Sequence, residues 1–173
     1  ETKKQIKSTI DAVSKLNIQT IWLWPNVDSG SDIISKELRI AREKGYLEKT
    51  LFIKNLSADD FLILLNNSKC IVGNSSVGIR ESSYLGVPSI NIGKRQEGRL
   101  EAKSVISCDA NYEDILKSIN ILYSTEFQKT LENCINPYGE GGASKKIVKI
   151  LENLTIKNVS SKKIFYDLDK KFF

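Results

Sequence analysis

The chain has 173 residues, of which 40% are hydrophobic and 27% charged, with a formal net charge of +5. These values are ordinary for one globular domain that buries a core. The basic surplus is small and scattered, which disfavours nucleic-acid binding, because such an interface gathers its Lys and Arg residues into a patch. No apolar run approaches the ~20 residues of a membrane helix and no signal peptide is visible, so we expect a cytoplasmic protein.

Histidine, the usual proton-transfer residue near neutral pH, is absent. A chain without histidine either uses carboxylates for proton transfer or lacks part of the catalytic site. Its first residues read directly into a helix, as a fragment of a longer protein would. The three cysteines are far apart without a CxxC pair, which favours buried thiols over a disulfide framework or a metal site. No cofactor and no metal are predicted.

Hydrophobic periodicity predicts helices and strands that alternate along the chain. Strands are expected at 19–24, 50–54, 70–73, 88–93 and 104–108. Helices are expected at 3–16, at 32–44 with Asp32 as cap, after Ser57 with Asp60 as capping partner, at 76–85, after Asn111, and after the loop 136–142. This order predicts the α/β class, with a Rossmann-like, doubly wound parallel sheet covered on both faces. Residues 1–154 form the predicted domain, and residues 155–173 a polar, basic tail.

Three loops at predicted strand ends, residues 25–31, 73–81 and 93–99, carry polar groups where ligands bind such sheets. Loop 73–76 enters a predicted helix, so its free N–H groups and the hydroxyls of Ser75 and Ser76 suit phosphate oxygens. The carboxylate of Glu81 suits the two vicinal hydroxyls of a ribose. Arg95 suits a diphosphate through bidentate contacts.

Each of these residues also fits an ordinary role. A serine can be only an N-cap, Glu81 a solvated helix charge, Arg95 an exposed loop charge and Asn26 a turn residue. Two nucleotide signatures are missing. The chain has no GxxxxGK[ST] sequence, which disfavours an ATPase or GTPase, and no GxGxxG after the first strand, which disfavours a dinucleotide dehydrogenase.

The loops together resemble the C-terminal lobe of the UDP-N-acetylglucosamine 2-epimerase family. The motifs are WLWPNVDSGS at 22–31, GNSSVGIRE at 73–81, LGVPSINIGKRQEGR at 85–99 and NPYGEGGAS at 136–144. They occur in the family's order and cover nearly the whole chain. The sequences NSS at 74–76 and GIRE at 78–81 are similar to the hydrolysing branch, since non-hydrolysing members typically carry Asp-Ser-Gly-Gly and Gln-Glu-Glu there.

The resemblance implies a GT-B-type enzyme of two Rossmann-like lobes with a UDP-sugar between them. Hydrolysing members release UDP from UDP-GlcNAc or a related 2-acetamido sugar nucleotide and invert C2. The expected route is elimination to a glycal followed by addition of water, leading to free ManNAc or a bacillosamine-derived analogue for sialic- or legionaminic-acid-type pathways. By position, the resemblance assigns Ser75 and Ser76 to the diphosphate, Glu81 to the ribose, Arg95 to a phosphate, Asn26 to the wall of the UDP site and Leu56 to the uracil.

The resemblance implies that the family's acid/base carboxylates belong to the N-terminal lobe and that an important histidine lies just before the point where this chain begins, so that neither is present here. We therefore expect the chain alone to bind UDP weakly or not at all and to have no turnover. The complete protein is expected to be a homo-oligomer. Two alternatives stay open, namely the nucleotide-sugar lobe of a GT-B glycosyltransferase and a stand-alone flavodoxin-like binding module.

Overall fold

A computed structural model describes residues 1–154, which alternate between helices and strands. The elements are α1 (Thr2–Lys15), β1 (Thr20–Leu23), α2 (Ser31–Glu43), β2 (Thr50–Ile53), α3 (Ala58–Asn66), β3 (Ile71–Gly73), a 3₁₀ helix (Ser76–Gly78), α4 (Glu81–Tyr84), β4 (Ser89–Ile92), β5 (Val105–Cys108), α5 (Tyr112–Leu122), α6 (Thr125–Leu131) and α7 (Ala143–Glu152). None of these helices is both long and apolar enough to cross a membrane.

The chain divides into two compact units, Glu1–Gly139 and a second that begins at Glu140. All five strands belong to the first unit, and α7 belongs to the second. The predicted boundary at residue 154 stays a prediction, and the predicted tail, residues 155–173, lies outside the described residues.

Every strand pairing is parallel, as the alternating pattern predicts. The strands form two hydrogen-bonded groups, with the order β1-β2 in one and β3-β4-β5 in the other. In the larger group Gly73 aligns with Asn91, and Asn91 aligns with Ser107. Because paired strands run in the same direction, the loops that follow β3, β4 and β5 leave at one edge of the sheet.

Helix α1 contributes to two hydrophobic clusters. Its Ile10 packs in a cluster with Leu38 of α2, whereas its Ala12 lies in a cluster with Ile90 of β4 and Ile115 of α5. All five of these residues are at most 3% exposed. The apolar face of α1 is therefore shared between the helix that follows β1 and the helix that covers β4.

Strand β4 is buried at all four residues. Its side chains alternate between the faces of the sheet, so that Ile90 and Ile92 enter the cluster with α5. On the other face, the Ser89 hydroxyl donates to the Gly78 carbonyl and the Asn91 amide donates to the Ser107 hydroxyl at 3.0 Å. This strand is thus anchored by apolar packing on one face and by hydrogen bonds on the other.

Two predicted helix caps are confirmed. The Ser57 hydroxyl accepts from the Asp60 N–H at 3.1 Å and donates to the Asp60 carboxylate at 2.6 Å. At the start of α5, the Asn111 side-chain oxygen accepts from the Asp114 N–H at 2.9 Å. Both caps satisfy a backbone donor within three residues, which is why local sequence predicts them.

The predicted cap at Asp32 is wrong. Helix α2 begins at Ser31, and its N-cap is Gly30, which has φ +83° and makes no side-chain cap. Glycine adopts this left-handed conformation at little cost, so helix α2 begins earlier in the chain than predicted. Asp32 lies instead in the first turn of α2, where its charge still complements the helix dipole.

The single helix predicted at 76–85 is also wrong, because the structure has a 3₁₀ turn and then the short helix α4. The Gly78 carbonyl, which would continue an α-helix, accepts from the Ser82 hydroxyl at 2.6 Å and from the Ser89 hydroxyl. Side-chain hydroxyls compete with backbone donors for such carbonyls. As a result Glu81 is the first residue of α4 rather than an interior residue of a longer helix.

We predict that Ile115→Ala lowers the free energy of unfolding by about 2 to 5 kcal/mol, because it empties a fully buried site in the core. The matched control is Ile121→Ala on the same helix, where the side chain is 40% exposed and the loss should stay below about 1 kcal/mol. Urea denaturation followed by circular dichroism measures both. Equal losses for the two variants would contradict the packing of α5.

Candidate functional site

The six predicted site residues all lie beyond the carboxyl ends of parallel strands, where α/β sheets bind ligands. They are Asn26 after β1, Leu56 after β2, Ser75 and Ser76 after β3, Glu81 at the start of α4, and Arg95 after β4. Among the described residues, no hydrogen bond or ion pair joins any two of these six.

The loop between β3 and the 3₁₀ helix carries the donors of the predicted anion site. It begins at Gly73, whose φ of +152° is a conformation that other residues rarely adopt. The Ser75 hydroxyl oxygen accepts from the Val77 N–H at 3.4 Å, so Ser75 is also the cap of the 3₁₀ helix. Within residues 1–154, the backbone N–H groups of Ser75 and Ser76 form no hydrogen bond.

The electrostatic basis of that anion site differs from the prediction. A long helix was expected after this loop, but the helix that follows has only three residues. Its aligned peptide dipoles are too few to give a large positive end. The loop therefore offers phosphate oxygens the N–H groups and hydroxyls of Ser75 and Ser76, rather than a helix dipole.

Glu81 has an acceptor without a partner. Its side chain is half-buried, and its Oε2 atom is buried with no hydrogen bond from any described residue. A buried carboxylate oxygen that lacks a donor costs free energy. This atom is therefore suited to receive a hydroxyl or N–H group from a bound molecule.

Arg95 forms an ion pair that the sequence did not predict. Its guanidinium lies 3.3 Å from the carboxylate of Asp28, which joins the loop after β4 to the loop after β1. The two side chains are 56% and 61% exposed, so solvent screens the pair and it contributes only about 0 to 1 kcal/mol. The guanidinium is thus free to exchange this carboxylate for a phosphate.

Gln96 joins the same loop to the loop after β3. Its side-chain amide nitrogen donates to the carbonyl oxygen of Asn74 at 2.8 Å, and the residue is 4% exposed. Sequence reasoning missed this residue, because a glutamine between two charged residues in a glycine-bracketed loop is expected to face solvent. The three predicted loops are therefore brought together by two residue pairs, Gln96 with Asn74 and Arg95 with Asp28.

Among the described residues, Asn26 and Leu56 form their hydrogen bonds with their own chain neighbours, not with the other predicted site residues. Asn26 is exposed, and its carbonyl accepts from the Asp28 N–H at 2.8 Å in a tight turn. Leu56 is half-buried, and its N–H donates to the side chain of Asn55 at 3.0 Å. Because that N–H is already used within the protein, any backbone contact of Leu56 with a ligand falls to its carbonyl.

Two of the three cysteines are poorly suited to act as nucleophiles. All three are free thiols, and burial raises the pKa of Cys70 and of Cys108. The reactive form of a cysteine is the thiolate, so both groups stay protonated and unreactive near neutral pH.

Comparison with known proteins agrees with this architecture. Among solved structures, a UDP-GlcNAc 2-epimerase from Methanocaldococcus jannaschii, crystallised with UDP-GlcNAc and UDP, superposes with a TM-score of 0.66 at 22% identity over 87% of this chain and 41% of its own. At that identity the likeness concerns the fold alone, and it confirms the predicted Rossmann-like fold.

Two curated relatives are similar in sequence. The "GDP/UDP-N,N'-diacetylbacillosamine 2-epimerase (hydrolyzing)" of Campylobacter jejuni is 35% identical over 96% of this chain. The "Polysialic acid biosynthesis protein P7" of Escherichia coli is 31% identical over 95% of it. The chain spans only 43% and 42% of the lengths of these two proteins.

The family model described as UDP-N-acetylglucosamine 2-epimerase matches residues 1–152, nearly all of the residues that the structure describes. The matched span contains the five parallel strands and the three loops joined through Gln96 and Arg95. The chain belongs to the UDP-N-acetylglucosamine 2-epimerase family.

Proposed function

We propose that this chain is the UDP-binding lobe of a hydrolysing 2-epimerase that acts on UDP-N-acetylglucosamine or a related 2-acetamido sugar nucleotide. The observation that carries the proposal is the buried Oε2 atom of Glu81, which has no hydrogen-bond partner among residues 1–154. Glu81 follows a loop whose N–H groups at Ser75 and Ser76 have no acceptor among the same residues. The carboxylate oxygen of Glu81 can accept from the hydroxyls of a ribose, and the neighbouring donors of Ser75 and Ser76 can bind a diphosphate.

In this proposal each part of UDP meets a different loop. The carboxylate of Glu81 accepts from the ribose hydroxyls, and Ser75 and Ser76 donate to the diphosphate. Arg95 leaves Asp28 for a phosphate oxygen, because a charge-assisted bond to phosphate is stronger than an exposed, screened ion pair.

The remaining two assignments concern the wall of the site and the uracil. Asn26 lines the UDP site, and the backbone carbonyl of Leu56 faces the uracil, since its N–H is bonded to Asn55. A carbonyl accepts hydrogen bonds, and the uracil ring offers one N–H donor.

The hydrolysing branch is proposed from two observations. The sequence Asn-Ser-Ser at 74–76 differs from the Asp-Ser-Gly-Gly expected of the non-hydrolysing branch. The Campylobacter jejuni relative is itself named as hydrolysing. Release of UDP with inversion at C2, through a glycal and addition of water, is the reaction that we propose for the complete enzyme.

Catalysis is proposed to need a second lobe. This chain has no histidine, and two carboxylates of the proposed site, Glu81 and Asp28, are already assigned to the ribose and to the ion pair with Arg95. The acid and base would then come from the N-terminal lobe, across the nucleotide. A cytoplasmic location and self-association of the complete protein remain predictions from the sequence.

We predict that Glu81→Ala abolishes the preference for UDP over 2′-deoxy-UDP. The unaltered chain should bind UDP about tenfold more tightly than 2′-deoxy-UDP, because a carboxylate that accepts from two ribose hydroxyls loses one of them in the deoxy compound. Titration of ¹⁵N-labelled protein to millimolar ligand measures both dissociation constants. Glu113→Ala, which removes an exposed carboxylate from α5, is the control and should keep the preference. A preference that survives in Glu81→Ala would refute the ribose assignment.

We predict that Arg95→Ala weakens UDP about tenfold but leaves uridine unchanged, because the lost guanidinium contacts only phosphate. Arg99→Ala, in the same loop, is the control and should change UDP affinity less than threefold. The same titrations measure these values. Equal weakening of UDP and uridine would show that the substitution disturbs the fold rather than a phosphate contact.

We predict no epimerase or UDP-sugar hydrolase turnover from the chain alone, as measured by ³¹P NMR of UDP release. Detectable turnover would place the catalytic groups in this chain and overturn the division between lobes. Titration with ADP and FMN beside UDP distinguishes the proposal from a stand-alone flavodoxin-like module, which would prefer FMN.

A further inference from the structure

Gln96 is buried although its loop is not. The residues on either side, Arg95 and Glu97, are exposed, whereas Gln96 is 4% exposed. Burying an amide is unfavourable unless its polar atoms are hydrogen-bonded. Only half of this amide is bonded within the described residues, because the nitrogen reaches the Asn74 carbonyl while the oxygen, Oε1, has no partner.

The bond to Asn74 has a defined direction. A carbonyl oxygen can only accept, so the amide nitrogen of Gln96 must be the atom that faces it, at 2.8 Å. In a planar trans peptide the C=O and N–H groups point in opposite directions. When Gln96 holds the Asn74 carbonyl, the N–H of Ser75 is therefore turned away from Gln96.

The bond also acts on a peptide group, between Asn74 and Ser75, that has no other hydrogen bond among residues 1–154. The loop begins at Gly73, a residue that permits many backbone conformations, and the N–H groups of Ser75 and Ser76 have no acceptor among residues 1–154. Without the contact from Gln96, the peptide between Asn74 and Ser75 could rotate and turn its N–H aside. One buried hydrogen bond thus sets the direction of a donor in the proposed diphosphate site.

We propose that Gln96 is a positioning residue, which holds the Asn74–Ser75 peptide in the orientation that binds the diphosphate. This inference rests on the proposed function of the loop and adds to it a residue that touches no phosphate itself. It also couples the loop after β4 to the loop after β3, so that the Arg95 and Ser75 contacts are set by one segment of chain.

The test compares Gln96→Met, which keeps the length of the side chain, with Gln96→Leu; neither side chain can donate to the carbonyl. Both variants should bind UDP about tenfold more weakly, while uridine affinity stays within twofold, because only the diphosphate uses the loop. In the ligand-free variants, the ¹H–¹⁵N resonances of Ser75 and Ser76 should also shift.

The matched control is Gln128→Met. Gln128 likewise donates its amide nitrogen to a backbone carbonyl, that of Leu122, at 2.6 Å. Loss of this bond should lower the stability of the fold without changing UDP affinity. A merely structural role for Gln96 would give the same result as the control.

Two outcomes overturn the inference in distinguishable ways. If the unaltered chain binds UDP and either Gln96 variant binds it equally well, or loses UDP and uridine affinity in equal measure, the positioning role is refuted and the proposed function stands. If the unaltered chain binds UDP but none of the UDP-dependent shifts falls at Ser75, Ser76 or Glu81, the proposed site is refuted and this inference fails with it.

Discussion

Strand β4 is hydrogen-bonded on both sides, by β3 and by β5, and is buried along its whole length. Its two isoleucines pack against α1 and α5, while Ser89 and Asn91 make hydrogen bonds on the opposite face. A strand held in this way has one register and one direction, because a shift by one residue would bury serine and asparagine among apolar side chains. The loop that follows β4 therefore starts from a fixed point, and Gln96 and Arg95 reach their partners from it.

The two contacts made by that loop differ in physical character. The amide of Gln96 is buried and neutral, so its bond to Asn74 is shielded from solvent and salt. The pair formed by Arg95 and Asp28 is exposed and screened. A ligand can compete readily for the second contact but not for the first. The proposed site thus combines a permanent restraint on backbone donors with a charged group that is free to change partners.

Serine hydroxyls shape the segment between the loop at residues 73–76 and strand β4. The hydroxyls of Ser82 and Ser89 both donate to the Gly78 carbonyl, and the Ser83 hydroxyl donates to the Ile79 carbonyl at 2.7 Å. These bonds interrupt the helix predicted after the loop, which removes most of its dipole. They also move Glu81 to the start of α4, where one of its carboxylate oxygens is buried without a partner. The break in the helix after Gly78 therefore has two effects. It weakens the helix dipole at the loop, and it leaves a carboxylate oxygen of Glu81 as an acceptor for hydroxyl groups.

The sequence by itself determined those features that depend on neighbouring residues. It predicted the five parallel strands, the caps at Ser57 and Asn111, and the position of the three polar loops after strands, because hydrophobic period and capping act within a few residues. The tertiary structure alone decided the break after Gly78, the ion pair between Arg95 and Asp28, and the burial of Gln96. These features join residues 11, 67 and 22 positions apart. Whether such groups meet depends on strand order and packing, which no local pattern records.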